Sequence, residues 1–164
     1  EKMAQVNAKW ATVKNGPGNA YNGIRVYEES CGKCHIHLGI GRTVGPEITG
    51  LNRNDLWDFI TNVIDPSRSV LPEYTGVVMT VLDEEDVFGD LSERTLTGFI
   101  LEESDAQIRF IDSAGNELTV ARESIKDIRP MTLSVMPEEL LTDLPDQELR
   151  DLMNFIQSDT LPTE

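Results

Sequence analysis

The sequence predicts a mainly helical fold carrying an inserted small antiparallel β-sheet or barrel, α+β overall. Three observations predict it. Apolar residues recur at helical spacing up to Ile64 and again after Pro145. Between Val77 and Arg129 the period shortens to the alternation of strands rich in Val, Ile, Thr and Phe. The chain has 164 residues, a length that favours one domain or a small domain with an insertion. The expected organisation is an N-terminal helix or linker over 1–18, a first core part over 19–76, a β insert over 77–129 and a second core part over 130–164.

Met3, Val6, Trp10 and Val13 form an apolar stripe that predicts a helix over 3–14, stopped by Asn15-Gly16-Pro17. Ala20, Ile24, Tyr27 and Cys31 share one face of a second helix, so Cys31 leaves that helix with its sulfur on the apolar side. The glycine-rich stretch 39–50 reads as a loop. Asn54 is placed to cap a third helix running to Ile64, with Leu56, Phe59, Ile60 and Val63 facing inward and Asp65-Pro66-Ser67 ending it. Strands are expected at 77–82, 95–101, 107–112, 117–121 and 125–129, with a hairpin turn at 112–116. The acidic run 83–86 reads as a solvated loop. Pro145 suits the first turn of a last helix, in which Leu149, Leu152, Met153 and Ile156 lie on one face with Phe155 beside them.

Acidic residues outnumber basic ones 29 to 14, for a net charge of −15. A phosphate backbone would repel this surface, so nucleic acid is not an expected partner. The acidity either keeps the chain soluble or steers it toward a basic partner, and composition does not separate the two. The hydrophobic fraction of 39% supplies a packed core. No run approaches the roughly 20 apolar residues of a transmembrane helix. The chain opens on Glu1, as a mature or excised piece of a longer protein would.

The two cysteines stand in the run Cys31-Gly32-Lys33-Cys34-His35. A disulfide across C-x-x-C would be redox-active, but that reading expects a preceding strand in a βαβ unit, and nothing upstream reads as a strand. A structural zinc ion needs four ligands, usually from two separated loops. Only Cys31, Cys34, His35 and His37 are candidates, and all are crowded together. The third reading is the attachment signature of a c-type haem, in which two thiols on one short turn form thioethers and His35 supplies Nε2 to the iron. Iron with His on one side takes Met or His on the other when it transfers electrons, and keeps that position open when it binds gas or peroxide. The candidates are Met136, Met131, Met79 and His37. His37 is too close to His35 to cross to the opposite face, and is expected as a partly exposed polar residue near the haem edge. Met79 lies in the alternating stretch V-V-M-T-V-L and reads as core. Met131 and Met136 both lie in the loop before the last helix.

These motifs resemble those of class I c-type cytochromes. In that family a helix with a glycine and an aromatic leads into C-x-x-C-H, matched by Gly23, Tyr27, Cys31, Cys34 and His35. A G-P loop follows, whose proline carbonyl accepts the histidine Nδ1–H, matched by Gly45-Pro46. A distal Met-Pro and a terminal helix with an aromatic come next, matched by Met136-Pro137 and Phe155. The chain is more closely similar to the planctomycete-type haem-binding domain of large exported proteins. Gly45-Pro46-Glu47-Ile48-Thr49, Asp65-Pro66-Ser67, Pro72-Glu73-Tyr74 and Ser134-Val135-Met136-Pro137 follow its motifs in order, over residues 20–157. One departure is the wide separation of His35 from Met136, which an inserted β segment with neighbouring ends accounts for.

The resemblance implies a cytochrome c fold around the insert. It also implies one haem c held by Cys31 and Cys34, with axial ligands His35 and Met136 and a pocket that includes Tyr27, Pro46 and Ile48. It implies an electron carrier rather than an enzyme in itself, with an exported or periplasmic location. The expected partner is a redox protein or a fused dehydrogenase domain with a basic docking face. The alternative is a haem enzyme or sensor with an open or displaceable sixth position, for which Arg129 is the nearest candidate distal arginine.

Overall fold

The computed structural model describes residues 1–82 and 92–164. The acidic run 83–86 lies outside the described residues. The chain divides into two compact units, Glu1–Ser69 with Glu138–Glu164, and Val70–Pro137.

The first unit holds four α-helices. Helix α1 spans Lys2–Lys14 and buries Val6 from the expected stripe, whereas Met3 is 51% exposed. Lys2 ties it down through ion pairs to Asp65 (2.6 Å) and Glu138 (2.7 Å). Helix α2 spans Ala20–Ser30, and its cap Asn19 accepts from the Asn22 amide. Its buried face is Gly23, Val26 and Tyr27, and Ile24 is half-buried. Helix α3 spans Leu56–Ile64 and buries Leu56, Ile60, Thr61, Val63 and Ile64. Its cap is Asp55, not Asn54, because the Asp55 carboxylate is the group that accepts from the Asp58 amide, 3.0 Å away. Phe59, expected inward, is half-buried. Helix α4 spans Asp146–Gln157, with Pro145 as its cap residue rather than in its first turn.

Helices α2 and α4 meet backbone to backbone. A Cβ on Gly23 would lie 2.1 Å from the Asp151 carbonyl oxygen and 2.8 Å from the Phe155 Cβ, so only glycine permits this approach. The buried Asp151 carboxylate accepts from the Asn19 amide at the start of α2 (2.7 Å) and from Gln147 (2.8 Å). A buried acid is thereby satisfied by hydrogen bonds, one of them at a helix N-terminus where negative charge is favoured. Between α2 and α3 two short strands, β1 (Ile36–His37) and β2 (Ile40–Gly41), pair antiparallel, β2 falling inside the stretch 39–50 that reads from sequence as a loop.

The second unit is a five-stranded antiparallel sheet built from β3 (Val77–Leu82), β4 (Glu93–Glu103), β5 (Gln107–Asp112), β6 (Glu117–Ala121) and β7 (Ile125–Pro130). The strand order is β6-β5-β4-β3-β7, so the two edge strands are consecutive in the chain. Four strand spacings of a flat sheet would place those edges about 19 Å apart. The link from Ala121 to Ile125 is a single 3₁₀ turn, Arg122–Ser124, and even fully extended would reach only about 14 Å. The sheet must therefore curl. Bulges at Thr80/Val81 and Ile100/Glu102 supply the added twist. The inner face packs Met79, Val81, Ile108, Phe110 and Val120 into one core. Met79 is fully buried. The β5–β6 hairpin turns at Asp112, whose carboxylate accepts from the amides of Ala114 (2.9 Å) and Asn116 (2.8 Å), with Gly115 at φ +85°.

The expectation of a mainly α cytochrome c fold is overturned. Among the described residues the chain is α+β: four α-helices, a five-stranded antiparallel sheet and a two-stranded one. The reason lies in the strands. Their alternating, β-branched residues close a core of their own, so the segment after Val70 is a compact unit rather than an appendage on a helical body.

Candidate functional site

Helix α2 ends at Cys31, whose amide donates to the Tyr27 carbonyl (2.8 Å). The chain then makes one tight turn: the amides of Cys34 (3.1 Å) and His35 (2.9 Å) both donate to the Cys31 carbonyl. Cys31 is buried, Cys34 and His35 are half-buried, and no disulfide joins the cysteines. Burial pushes the Cys31 thiol up to about 11, the Ser30 hydroxyl at 3.6 Å offsetting part of the effect and Cys34 adding to it. Burial thus acts against the thiolate form on which a reactive C-x-x-C dithiol depends.

His35 is held from both sides. Its Nδ1 lies 2.7 Å from the Pro46 carbonyl oxygen. A carbonyl only accepts, so Nδ1 carries the proton and Nε2 keeps its lone pair. Burial lowers the imidazole pKa, the Pro46 hydrogen bond partly opposing it. Gly45 lies against the ring: a Cβ there would be 2.5 Å from His35 Cε1. On the backbone side, the Tyr27 hydroxyl donates to the His35 carbonyl at 2.6 Å. Gly41, at φ +111°, passes so close that a Cβ would lie 1.9 Å from the same oxygen. The loop is stitched further by the amides of Val44 (3.0 Å) and Gly45 (2.7 Å) to the Cys34 carbonyl, and by Ile48 to the Ile36 carbonyl (2.8 Å). Ile48 is buried.

Cys31, Cys34, His35, Tyr27, Pro46 and Ile48 therefore fall within one hydrogen-bonded segment of the first unit. Met136 belongs to the second unit, where it is half-buried and its amide donates to Ser134 Oγ (3.2 Å). Met131 belongs there too, its amide bonded to the Gly76 carbonyl (2.8 Å). Arg129 is engaged by Asp127 at 2.7 Å.

His37 corrects an expectation. It is not partly exposed but fully buried, with Nε2 2.9 Å from the Phe155 carbonyl. Arg53 carries no periodic or motif signal in the sequence. Yet its guanidinium donates to the carbonyls of Ile156 (3.0 Å) and Ser158 (2.7 Å), and its Nε to that of Thr49 (3.1 Å). It thereby satisfies the carbonyls left open at the end of α4.

Two thiols on one turn, followed by an imidazole with Nε2 available, meet the needs of thioether attachment and axial ligation by a single histidine. Among the described residues, no group of three or more His, Cys, Asp or Glu side chains is placed to hold a metal ion, as a structural zinc ion would require. No described helix is long and apolar enough to cross a membrane. No family model matches the chain, and no curated protein matches it.

Proposed function

We propose that this chain is a c-type haem protein that carries electrons, with one haem c attached through Cys31 and Cys34 and ligated by His35. The observation that carries the reading is the His35–Pro46 hydrogen bond directly after a C-x-x-C turn. A carbonyl on Nδ1 fixes the tautomer and ring plane and raises the basicity of Nε2, as ligating histidines require. When bound, the haem supplies the one-electron chemistry, and the protein sets its potential and access. The roles of the chain's own residues are limited. The thiols anchor, Pro46 orients, Tyr27 holds the His35 carbonyl, and Gly41, having no Cβ, leaves room beside it.

Met136 is proposed as the second axial ligand on the order of the sequence motifs alone, ahead of Met131; methionine there would raise the potential. On the same grounds the chain is proposed to be exported and to meet a redox partner, or a fused dehydrogenase domain, through weak and transient docking. A net charge of −15 suits a basic docking face on that partner.

Absorption spectra of the oxidised and reduced protein test this reading, repeated on Met136→Ala and Met131→Ala. The expected result is a low-spin haem whose weak red-end methionine–ferric band disappears in Met136→Ala only. A high-spin wild type, or a band that survives Met136→Ala, would overturn the carrier with this ligand.

A further inference from the structure

His37 has no part in the site as proposed, yet it is 0% exposed and sits in β1, which begins directly after His35. Its Nε2 faces the Phe155 carbonyl at 2.9 Å, and since that oxygen only accepts, Nε2 carries the proton. The other nitrogen, Nδ1, is then a buried lone pair with no hydrogen-bond partner among the described residues. Leaving a polar atom unmet in the interior is costly, and an aliphatic residue would fill the same space without that cost. The hydrogen bond from Nε2 is thus the feature that distinguishes histidine here.

The bond has a definite place in the fold. The His37 ring stands edge-on to Phe155, with centroids 4.9 Å apart, and 6.0 Å from Tyr27. Tyr27 and Phe155 meet at 5.3 Å. Tyr27 in turn holds the His35 carbonyl. Arg53 takes the carbonyls of Ile156 and Ser158, so the end of α4 is bound by two side chains from the segment that follows His35.

We infer that His37 is a positioning residue for His35: by fastening β1 to the last turn of α4, it keeps the His35 backbone in register and the imidazole on the Pro46 carbonyl. The inference rests on the haem reading for its functional consequence, though not for its geometry. The orientation and hydrogen bonding of an axial histidine tune the group it ligates.

The test compares the full chain with His37→Leu and His37→Gln. Glutamine retains an N–H₂ donor for the Phe155 carbonyl; leucine does not. The first readout is solvent exchange of the His35 Nδ1 proton by NMR, which does not require haem. Exchange about tenfold faster in His37→Leu, with most of the change reversed in His37→Gln, is expected. In haem-loaded protein the reduction potential should shift in His37→Leu and return toward wild type in His37→Gln.

Wild-type exchange and potential in His37→Leu, whatever its stability, would make His37 a packing residue and overturn the inference. Glutamine as damaging as leucine would overturn it too. Should His37→Leu fail to fold, His37→Gln decides alone: slow exchange supports the inference and fast exchange defeats it. Failure of the haem reading shows separately, as a wild-type chain without covalent haem, and leaves the exchange result decisive.

Discussion

The imidazole of His35 and the backbone carbonyl of Pro46 are joined at 2.7 Å across a loop that Gly45 makes narrow. Because the acceptor is main chain, the side chain at position 46 is not what holds the ring. Pro46→Ala should therefore keep the bond. Gly45→Ala should not, since its methyl would press 2.5 Å from Cε1 and drive the ring off the carbonyl. The expected cost of Gly45→Ala is about 2 kcal/mol in urea unfolding, with a larger high-spin fraction in the haem spectrum, while Pro46→Ala stays closer to wild type on both. Equal effects from the two variants would contradict this account of the loop.

Tyr27 contributes a hydroxyl as well as a ring. Tyr27→Phe keeps the contacts with Phe155 and His37 but removes the donor to the His35 carbonyl. A loss of about 1 kcal/mol is expected from the unfolding midpoint. An unchanged midpoint would mean that water replaces the hydroxyl without cost.

The α2–α4 crossing depends on one missing methyl. Gly23→Ala sets a Cβ against the Asp151 carbonyl at 2.1 Å, and destabilisation of about 3 kcal/mol or failure to fold is expected. Gly50, where a Cβ meets nothing within 4 Å, is the control. Gly50→Ala should stay within about 0.5 kcal/mol of wild type by thermal unfolding.

The hairpin at Asp112 should be acid-sensitive. Burial acts to raise its carboxyl pKa, but hydrogen bonds from Asn116, Ala114 and Gly115 outweigh it and hold the group below the usual carboxylate value. A lowered folded-state pKa stabilises the fold above the unfolded value, and that stability is lost as pH falls through the folded value. Unfolding free energies measured from about pH 6 to about pH 3 should fall less steeply in Asp112→Asn than in wild type. Parallel slopes would show that the carboxylate contributes nothing.

How much was legible depended on what each residue's partners are. Strands β3, β5 and β6 begin and end where alternation and β-branching place them, because a strand's period is a local property. The cap of α3 moved one residue, from Asn54 to Asp55, since adjacent polar residues compete and only the geometry of the first turn decides. The order of the strands, and with it the curl of the sheet, is not legible, because periodicity marks where a strand lies and not which strand it pairs with. His37 and Arg53 were unreadable for a related reason. Their partners are backbone carbonyls at the end of α4, far along the chain, and a carbonyl leaves no mark on the sequence.

The central claim is that Cys31 and Cys34 carry a haem, and intact-mass measurement on the full chain tests it most directly. The chain would be produced in a host that exports it and attaches c-type haem. The account predicts a wild-type mass raised by one haem that survives denaturation, with no such adduct in the double variant Cys31→Ser/Cys34→Ser. A wild-type chain of unmodified mass from a host that loads a control cytochrome, or an adduct that persists without both thiols, would contradict it.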